Sequence, residues 1–384
     1  MEKDNSLLRA LVVLIIIQSS TLLIYLPTTG EADTMPVVGL TTTTSTQTLP
    51  AQPATLLTPT PTPPAPAVEP AKTMTPPTTP PPLTAPPAPT PPPPVRLLWK
   101  YAAGDDVYGV GVSSNGDYVV AGSSDGRIYL LNKTGGLLWS YRARGGVRDV
   151  AITPDASAVV AVSYLTPEGT LYFLDKKGRN IWKRKVTKAM GVDITSDKTQ
   201  IALASDDGSV YTFNRLGGKK WEYKTEKSAW GVWDVALSAD GKHVAIGADD
   251  KNVYLLDPNG NVLWKKNPSG KSYIYGVGIS GDGAYIAVAA QDKYVYVFDK
   301  AGTLLWNHQT GFSNYGVAIS TDGKYVALGS WDKNLYLFDI EGRLVWQTGL
   351  GNYVNRVAFS PDGKYLAAGC GDDNVYFFEL DLGG

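Results

Sequence analysis

Seven tryptophans, Trp99, Trp139, Trp182, Trp221, Trp264, Trp306 and Trp346, recur at intervals of 40, 43, 39, 43, 42 and 40 residues. A period of that length marks one supersecondary unit stacked on copies of itself, because a single unit leaves its apolar face uncovered. The ladder therefore restricts the chain to a repeat architecture from Trp99 onward. What precedes it must be read separately.

The unit that contains Trp306 shows the pattern. Leu304-Leu305-Trp306 is followed by Tyr315–Ser320, an Asp322-Gly323 turn, Tyr325–Ser330, an Asp332-Lys333-Asn334 turn and Leu335–Asp339. Asp-Gly between short β-rich runs is a hairpin signal, since both residues tolerate positive φ. The turn recurs at Asn115-Gly116, Asp240-Gly241, Asp282-Gly283 and Asp362-Gly363, whereas Asp155-Ala156 and Asp197-Lys198 lack its glycine. Runs such as Val253-Tyr254-Leu255-Leu256 and Val375-Tyr376-Phe377-Phe378 are apolar at consecutive positions and need cover on both faces. A column of small residues (Gly111, Ala151, Ala236, Gly278, Ala318, Ala358), broken by Asp193, fits a crowded centre. Together these features predict an all-β fold over residues 96–384, a seven-bladed β-propeller of four-stranded blades.

In six units an Asp or Asn precedes Gly by three residues and Trp by seven, as in Asn132-Gly135-Trp139 and Asp339-Gly342-Trp346. The glycine supplies a positive φ, the acid or amide closes the turn, and the indole is placed in the outermost strand to wedge between blades. A fully buried rung of this ladder would cost ~3–5 kcal/mol on truncation. The array begins with an outer strand, Leu97–Tyr101, and ends on a third strand, Val375–Leu380. Pairing the two closes the ring and removes two exposed edges.

The Asp-x-x-Gly-x-x-x-Trp spacing resembles the tryptophan-docking repeat of quinoprotein-type (PQQ-like) propellers. The stretch Val-Ala-Phe-Ser-Pro-Asp-Gly-Lys-Tyr-Leu-Ala-Ala-Gly at 357–369 is similar to a WD40 strand pair. The resemblance implies the propeller fold over residues 97–384. The Gly-His pair and strand-closing Trp-Asp of WD40 repeats have no counterpart, and the adjacent cysteines that stack on the quinoprotein cofactor are absent from a chain with one cysteine, Cys370. No cofactor and no metal site is expected.

Loops between blades vary while the turns on the opposite face are uniform, and variation on a repeated scaffold marks the binding side. The residues just ahead of each first strand, Tyr108, Arg148, Met190, Trp233, Tyr275, Tyr315 and Asn355, should ring the channel on that top face. With the off-ladder tryptophans Trp230 and Trp331, and with Asp149, Asp234 and Arg356 beside them, they give a candidate binding set: Tyr108, Arg148, Trp230, Trp233, Tyr275, Tyr315, Trp331 and Arg356. Aromatics and arginine are typical interface anchors; the alternative reading is that several of them plug the channel mouth. His243 and His308 assemble into no catalytic triad, and the acidic turns Asp206-Asp207-Gly208, Asp249-Asp250 and Asp372-Asp373 lack calcium-loop spacing.

Of the 27 prolines, 21 lie between Pro36 and Pro94, and the formal net charge is −1 with Lys and Arg scattered through the repeats, so no nucleic-acid footprint is legible. Residues Leu7–Leu26 form an apolar run interrupted by Arg9 and by Gln18-Ser19-Ser20-Thr21; Lys3 and Arg9 lie ahead of Ala10, and Glu31 and Asp33 follow the run. That asymmetry predicts a signal peptide or membrane anchor over 1–30 with the bulk of the chain extracytoplasmic. The Pro/Thr-rich 31–95 reads as an extended, disordered linker. The expected function is a non-enzymatic propeller on a stalk, anchored to the membrane if uncleaved, that binds a protein or glycan partner or scaffolds an envelope assembly. The alternative is an exported quinoprotein-like oxidoreductase or other propeller enzyme.

Overall fold

The computed structural model describes residues 95–165, 168–226 and 231–381. The expected signal or anchor, the linker as far as residue 94, and Trp230 lie outside the described residues. Among the described residues no helix is long and apolar enough to cross a membrane.

Among the described residues, seven four-stranded antiparallel sheets follow one another. Blades 1 to 6 occupy 107–142, 146–187, 189–224, 232–266, 274–309 and 314–349, and blade 7 joins 354–380 to the N-terminal strand Val95–Ala102. Each blade runs from a first strand at the axis to an outer strand at the rim. The turns named above explain this order. In the turn between first and second strands, Ser or Thr donates to the aspartate, as in Ser320 Oγ to Asp322 Oδ1 at 2.7 Å, and that aspartate accepts the Lys324 N–H at 3.1 Å. Ala156 and Lys198, where the glycine is missing, still adopt φ of 53° and 62°.

The core is seven interfaces rather than one centre. Val107, Val119 and Tyr129 of blade 1 pack with Tyr365, Val375 and Phe377 of blade 7, and equivalent clusters fill the other six gaps. Third strands such as Val253–Leu256 are buried at every position, which accounts for their unbroken apolar sequence.

The ring closes as expected. Val95–Ala102 pairs antiparallel with Asn374–Leu380, with Leu97 opposite Phe378 and Tyr101 opposite Val375. Trp99 stacks on Phe377 at 5.0 Å between ring centroids, and its indole N–H reaches across to Lys133 O of blade 1 at 2.9 Å. The same donation recurs in Trp139 to Lys176 O, Trp182 to Arg215 O, Trp221 to Pro258 O, Trp264 to Lys300 O and Trp306 to Ile340 O, at 2.7–2.9 Å. Each acceptor lies in the Asx-Gly turn of the next blade. Gly178 there has φ +74°, and a Cβ on it would stand 2.7 Å from the Trp139 ring, so glycine is required for both conformation and space. Trp346 instead meets Phe378 edge-on at 5.6 Å.

The indoles are half-buried at the rim, not fully buried, which lowers the cost expected for a buried rung. Trp99→Ala should destabilise the propeller by about 2–3 kcal/mol in denaturant unfolding, through lost ring packing and the orphaned Lys133 carbonyl. Trp99→Phe, which keeps most of the ring and loses the donor, should cost about 1 kcal/mol.

Candidate functional site at the channel mouth

All seven expected ring residues converge, although each lies within the opening residues of its first strand rather than ahead of it. Tyr108, Arg148, Met190, Trp233, Tyr275, Tyr315 and Asn355 surround a chamber of about 30 Å³, with Asp149 and Arg356 beneath them. The side chains fill the mouth by packing on each other. Trp233 meets Tyr275 edge-on at 5.2 Å, Tyr275 lies 5.1 Å from Tyr315, and the Arg148 guanidinium covers Tyr108 at 4.9 Å and Tyr164 at 5.5 Å. Burial raises the Tyr275 and Tyr315 phenols to about 12, so both remain neutral hydrogen-bonding groups at physiological pH.

Trp331 joins this group from the turn between the second and third strands of blade 6. It stacks on Tyr315 at 5.3 Å with an interplanar angle of 10°, and Tyr353, ahead of blade 7, stacks on Trp331 at 5.1 Å. The ring and these turns therefore share a face. An aromatic run, Trp233–Tyr275–Tyr315–Trp331–Tyr353, leads from the axis outward and ends on Tyr353, 44% exposed. Tyr353 escaped the sequence reading because it lies two residues ahead of the ring position. Val95 pairs with Leu380, at the opposite end of its blade, so the chain enters on the other face.

Beneath the aromatics lies a charged layer. The residue after each ring position reads Gly109, Asp149, Gly191, Asp234, Gly276, Gly316 and Arg356. Four glycines leave the axis free for three side chains; a Cβ on Gly276 would stand 2.2 Å from Tyr315 O. Arg356 crosses the axis to Asp149 Oδ2 at 2.8 Å and to Asp234 Oδ2 at 2.7 Å, joining blades 7, 2 and 4. The carboxylates also accept N–H groups from the following blades, Val192 to Asp149 and Val277 to Asp234, both at 2.9 Å. Arg356, expected among the binding residues, is thus committed to two ion pairs. Asp193, which breaks the small column, performs the same clamp one layer down, accepting Leu237 N at 2.8 Å.

Below this layer a cavity of about 240 Å³ runs between the first strands, past Asp193, to the first-to-second-strand turns at Pro154, Ser196, Ala239 and Pro361. The larger space thus adjoins the face opposite the ring, so the plugging reading describes the mouth itself.

The remaining sequence candidates have structural roles. His243 is buried, with its backbone N–H on Ser238 Oγ, and burial lowers its pKa; His308 packs on Phe338 at 4.8 Å. The acidic turns hold tyrosines four residues on: Tyr211 donates to Asp207 at 2.8 Å, Tyr296 to Asp292 at 2.7 Å and Tyr376 to Asp372 at 2.6 Å. This Asp-x-x-x-Tyr clasp, legible in the repeats, escaped the sequence reading. Cys370 is buried, and its thiol is pushed up to about 12 by burial. On the ring face Asp105, Asp106 and Asp373 bring carboxylate oxygens within 4.8 Å of one another, and burial with that mutual repulsion raises Asp106.

Burial raises Asp193 to about 6 and also raises Asp149, partly offset in each by the Arg356 charge. A carboxyl whose folded pKa exceeds its unfolded value holds its proton more tightly when folded. Its contribution to stability is complete below 3.8 and lost as pH rises through the folded value. Stability should therefore decline between about pH 4 and 6, the interval between the unfolded and folded values of Asp193, and level off above it, and Asp193→Asn should flatten that slope. Arg356→Met should cost about 3–5 kcal/mol by leaving two buried carboxylates uncompensated, and Asp149→Asn with Asp234→Asn in that background should restore part of the loss.

A family model described as the lambda-carrageenase beta-propeller domain matches residues 158–273 and 258–375. A second, described as WD domain, G-beta repeat, matches residues 96–132. No curated protein matches the chain.

Proposed function

We propose that this chain, which belongs to the family of the lambda-carrageenase beta-propeller domain, is a non-enzymatic binding module displayed outside the cytoplasm on its Pro/Thr-rich stalk. Its partner is a glycan, held on the ring face. The aromatic run from Trp233 to Tyr353 carries this reading: five rings in series end on an exposed tyrosine flanked by variable loops. Flat apolar faces edged with phenol and indole hydrogen-bonding groups suit the alternating C–H and hydroxyl faces of sugar rings. The family name supports a carbohydrate partner over a protein. Tyr353 forms the contact surface, Trp331, Tyr315 and Tyr275 support it in the stack, and Trp233, Tyr108 and Arg148 close the mouth.

The same family name favours one second reading, a polysaccharide-cleaving propeller. Glycoside hydrolysis uses a pair of carboxyl groups. Asp149 and Asp234 are tied to Arg356, which favours binding over cleavage at this mouth. Incubation with lambda-carrageenan separates the two: a binding module retains the polymer without releasing reducing ends, and release of reducing ends overturns the proposal.

Tyr353→Ala should weaken glycan retention at least tenfold, read by affinity electrophoresis, with an unchanged melting temperature because the ring is on the surface. Trp233→Ala should lower the melting temperature as well, since it opens the plug. Retention by Tyr353→Ala equal to that of the unaltered chain would refute the assigned surface.

A further inference from the structure

The scattered Lys and Arg of the sequence are gathered by the fold on the outer strands. In blades 2, 3 and 4 these strands read NIWKRKVT, KKWEYK and VLWKK, eight basic residues against the single acid Glu222. Those of blades 5 and 6, LLWNHQ and LVWQTG, carry no Lys, Arg, Asp or Glu. In a chain of net charge −1, one arc of the rim is therefore strongly cationic and the next is neutral.

Three of the eight have acidic partners: Lys185 with Glu168 at 3.1 Å, Lys219 with Glu222 at 2.8 Å, and Lys265 with Glu226. Among the described residues Lys183, Arg184, Lys220, Lys224 and Lys266 form no ion pair, and all five are exposed. Aliphatic side chains stand between them. Ile181 is 56% exposed, Leu263 51% and Leu216, in the turn leading into the outer strand of blade 3, 75%. Trp182, Trp221 and Trp264 lie half-buried along the same arc.

Each outer strand is bulged at the residue before its tryptophan, so that Trp182 pairs with Phe173 and Asn180 with Leu174, leaving Ile181 without a partner position. The same bulge omits Lys220 and Leu263. A bulge disrupts the ladder and blunts an edge strand against pairing with another strand. A second β-strand is therefore a poor occupant for this edge.

We propose that the rim of blades 2 to 4 docks on an anionic lipid bilayer. Lys and Arg would lie among the headgroups, the indoles at the interface and Ile181, Leu216 and Leu263 at the acyl boundary. Basic residues beside exposed aliphatic ones are the composition of a membrane-surface element, and long basic side chains reach the headgroups while their stems cover apolar surface. An acidic polysaccharide or a nucleic acid would match the charge but offers no hydrocarbon for three exposed aliphatic side chains. This docking leaves the ring face clear of the bilayer, so it is independent of the glycan reading.

The test uses the full-length chain reconstituted in vesicles, with an environment-sensitive fluorophore on a single introduced cysteine; Cys370 is buried and stays unlabelled. Labels replace Ile181, Leu263 or, as the control on the neutral arc, Leu305. On phosphatidylglycerol-containing vesicles a bilayer-borne nitroxide should quench positions 181 and 263 severalfold more than 305. On pure phosphatidylcholine the difference should vanish. Lys183→Gln, Lys220→Gln and Lys224→Gln together should weaken docking by about fivefold per charge, with an unchanged circular dichroism spectrum. Equal quenching at all three positions, quenching that persists on neutral lipid, or a response to soluble heparin or duplex DNA with none to phosphatidylglycerol would overturn the proposal.

Discussion

The structure depends on an indole docking across a blade boundary. Each blade contributes a tryptophan at its outer edge, and blades 1 to 6 each contribute an Asx-Gly turn that receives the tryptophan of the blade before. The ring plane lies on a glycine that has no Cβ to obstruct it, and the N–H satisfies a turn carbonyl. This contact fixes blade spacing at the rim, while the valine, alanine and leucine clusters fix it within. Because every contact joins neighbours, the array is open until its ends meet. Trp99 supplies that meeting, since it sits on blade 7 and docks on blade 1.

Toward the axis the same repeat produces a layered plug. Aromatic residues fill the mouth, three charged side chains lie under them, and a cavity continues toward the opposite face. The charged layer performs two tasks. Arg356 joins three blades that are not adjacent in sequence, and each carboxylate also accepts an N–H from the blade that follows it. A buried arginine between two buried acids is weak evidence for stability against an apolar filling, but breaking it by removing one partner is costly. With the mouth filled in this way, the glycan contact we propose lies outward of the channel, at the exposed Tyr353.

Much of this was legible in the sequence because the repeat writes each feature several times. Strand order, the closing pair and all seven ring positions follow from the spacing of Asp-Gly turns and tryptophans. Features that occur once were not legible as interactions. Arg356 and Asp149 are 207 positions apart, and only the ring geometry brings them within 2.8 Å. The column Gly-Asp-Gly-Asp-Gly-Gly-Arg was visible, but its meaning required knowing that seven backbones meet around one axis. Burial of the ladder was overestimated for a related reason: periodicity places an indole at a blade boundary without saying that the boundary is the rim. The cationic arc escaped because charge was summed along the chain, whereas the fold sorts it by strand.

Ring closure is the claim on which the face assignments, the plug and the rim all rest. Hydrogen–deuterium exchange of the strand Val95–Ala102 tests it most directly, since amide protection reports the free energy of local opening. If this strand is the outer strand of blade 7, its amides that pair with Asn374–Leu380 should exchange as slowly as those of the other outer strands, and Trp99→Ala should accelerate them together with the partner strand. Exchange of 95–102 at the rate of an unstructured segment, while the outer strand Leu137–Arg142 stays protected, would contradict the closed ring.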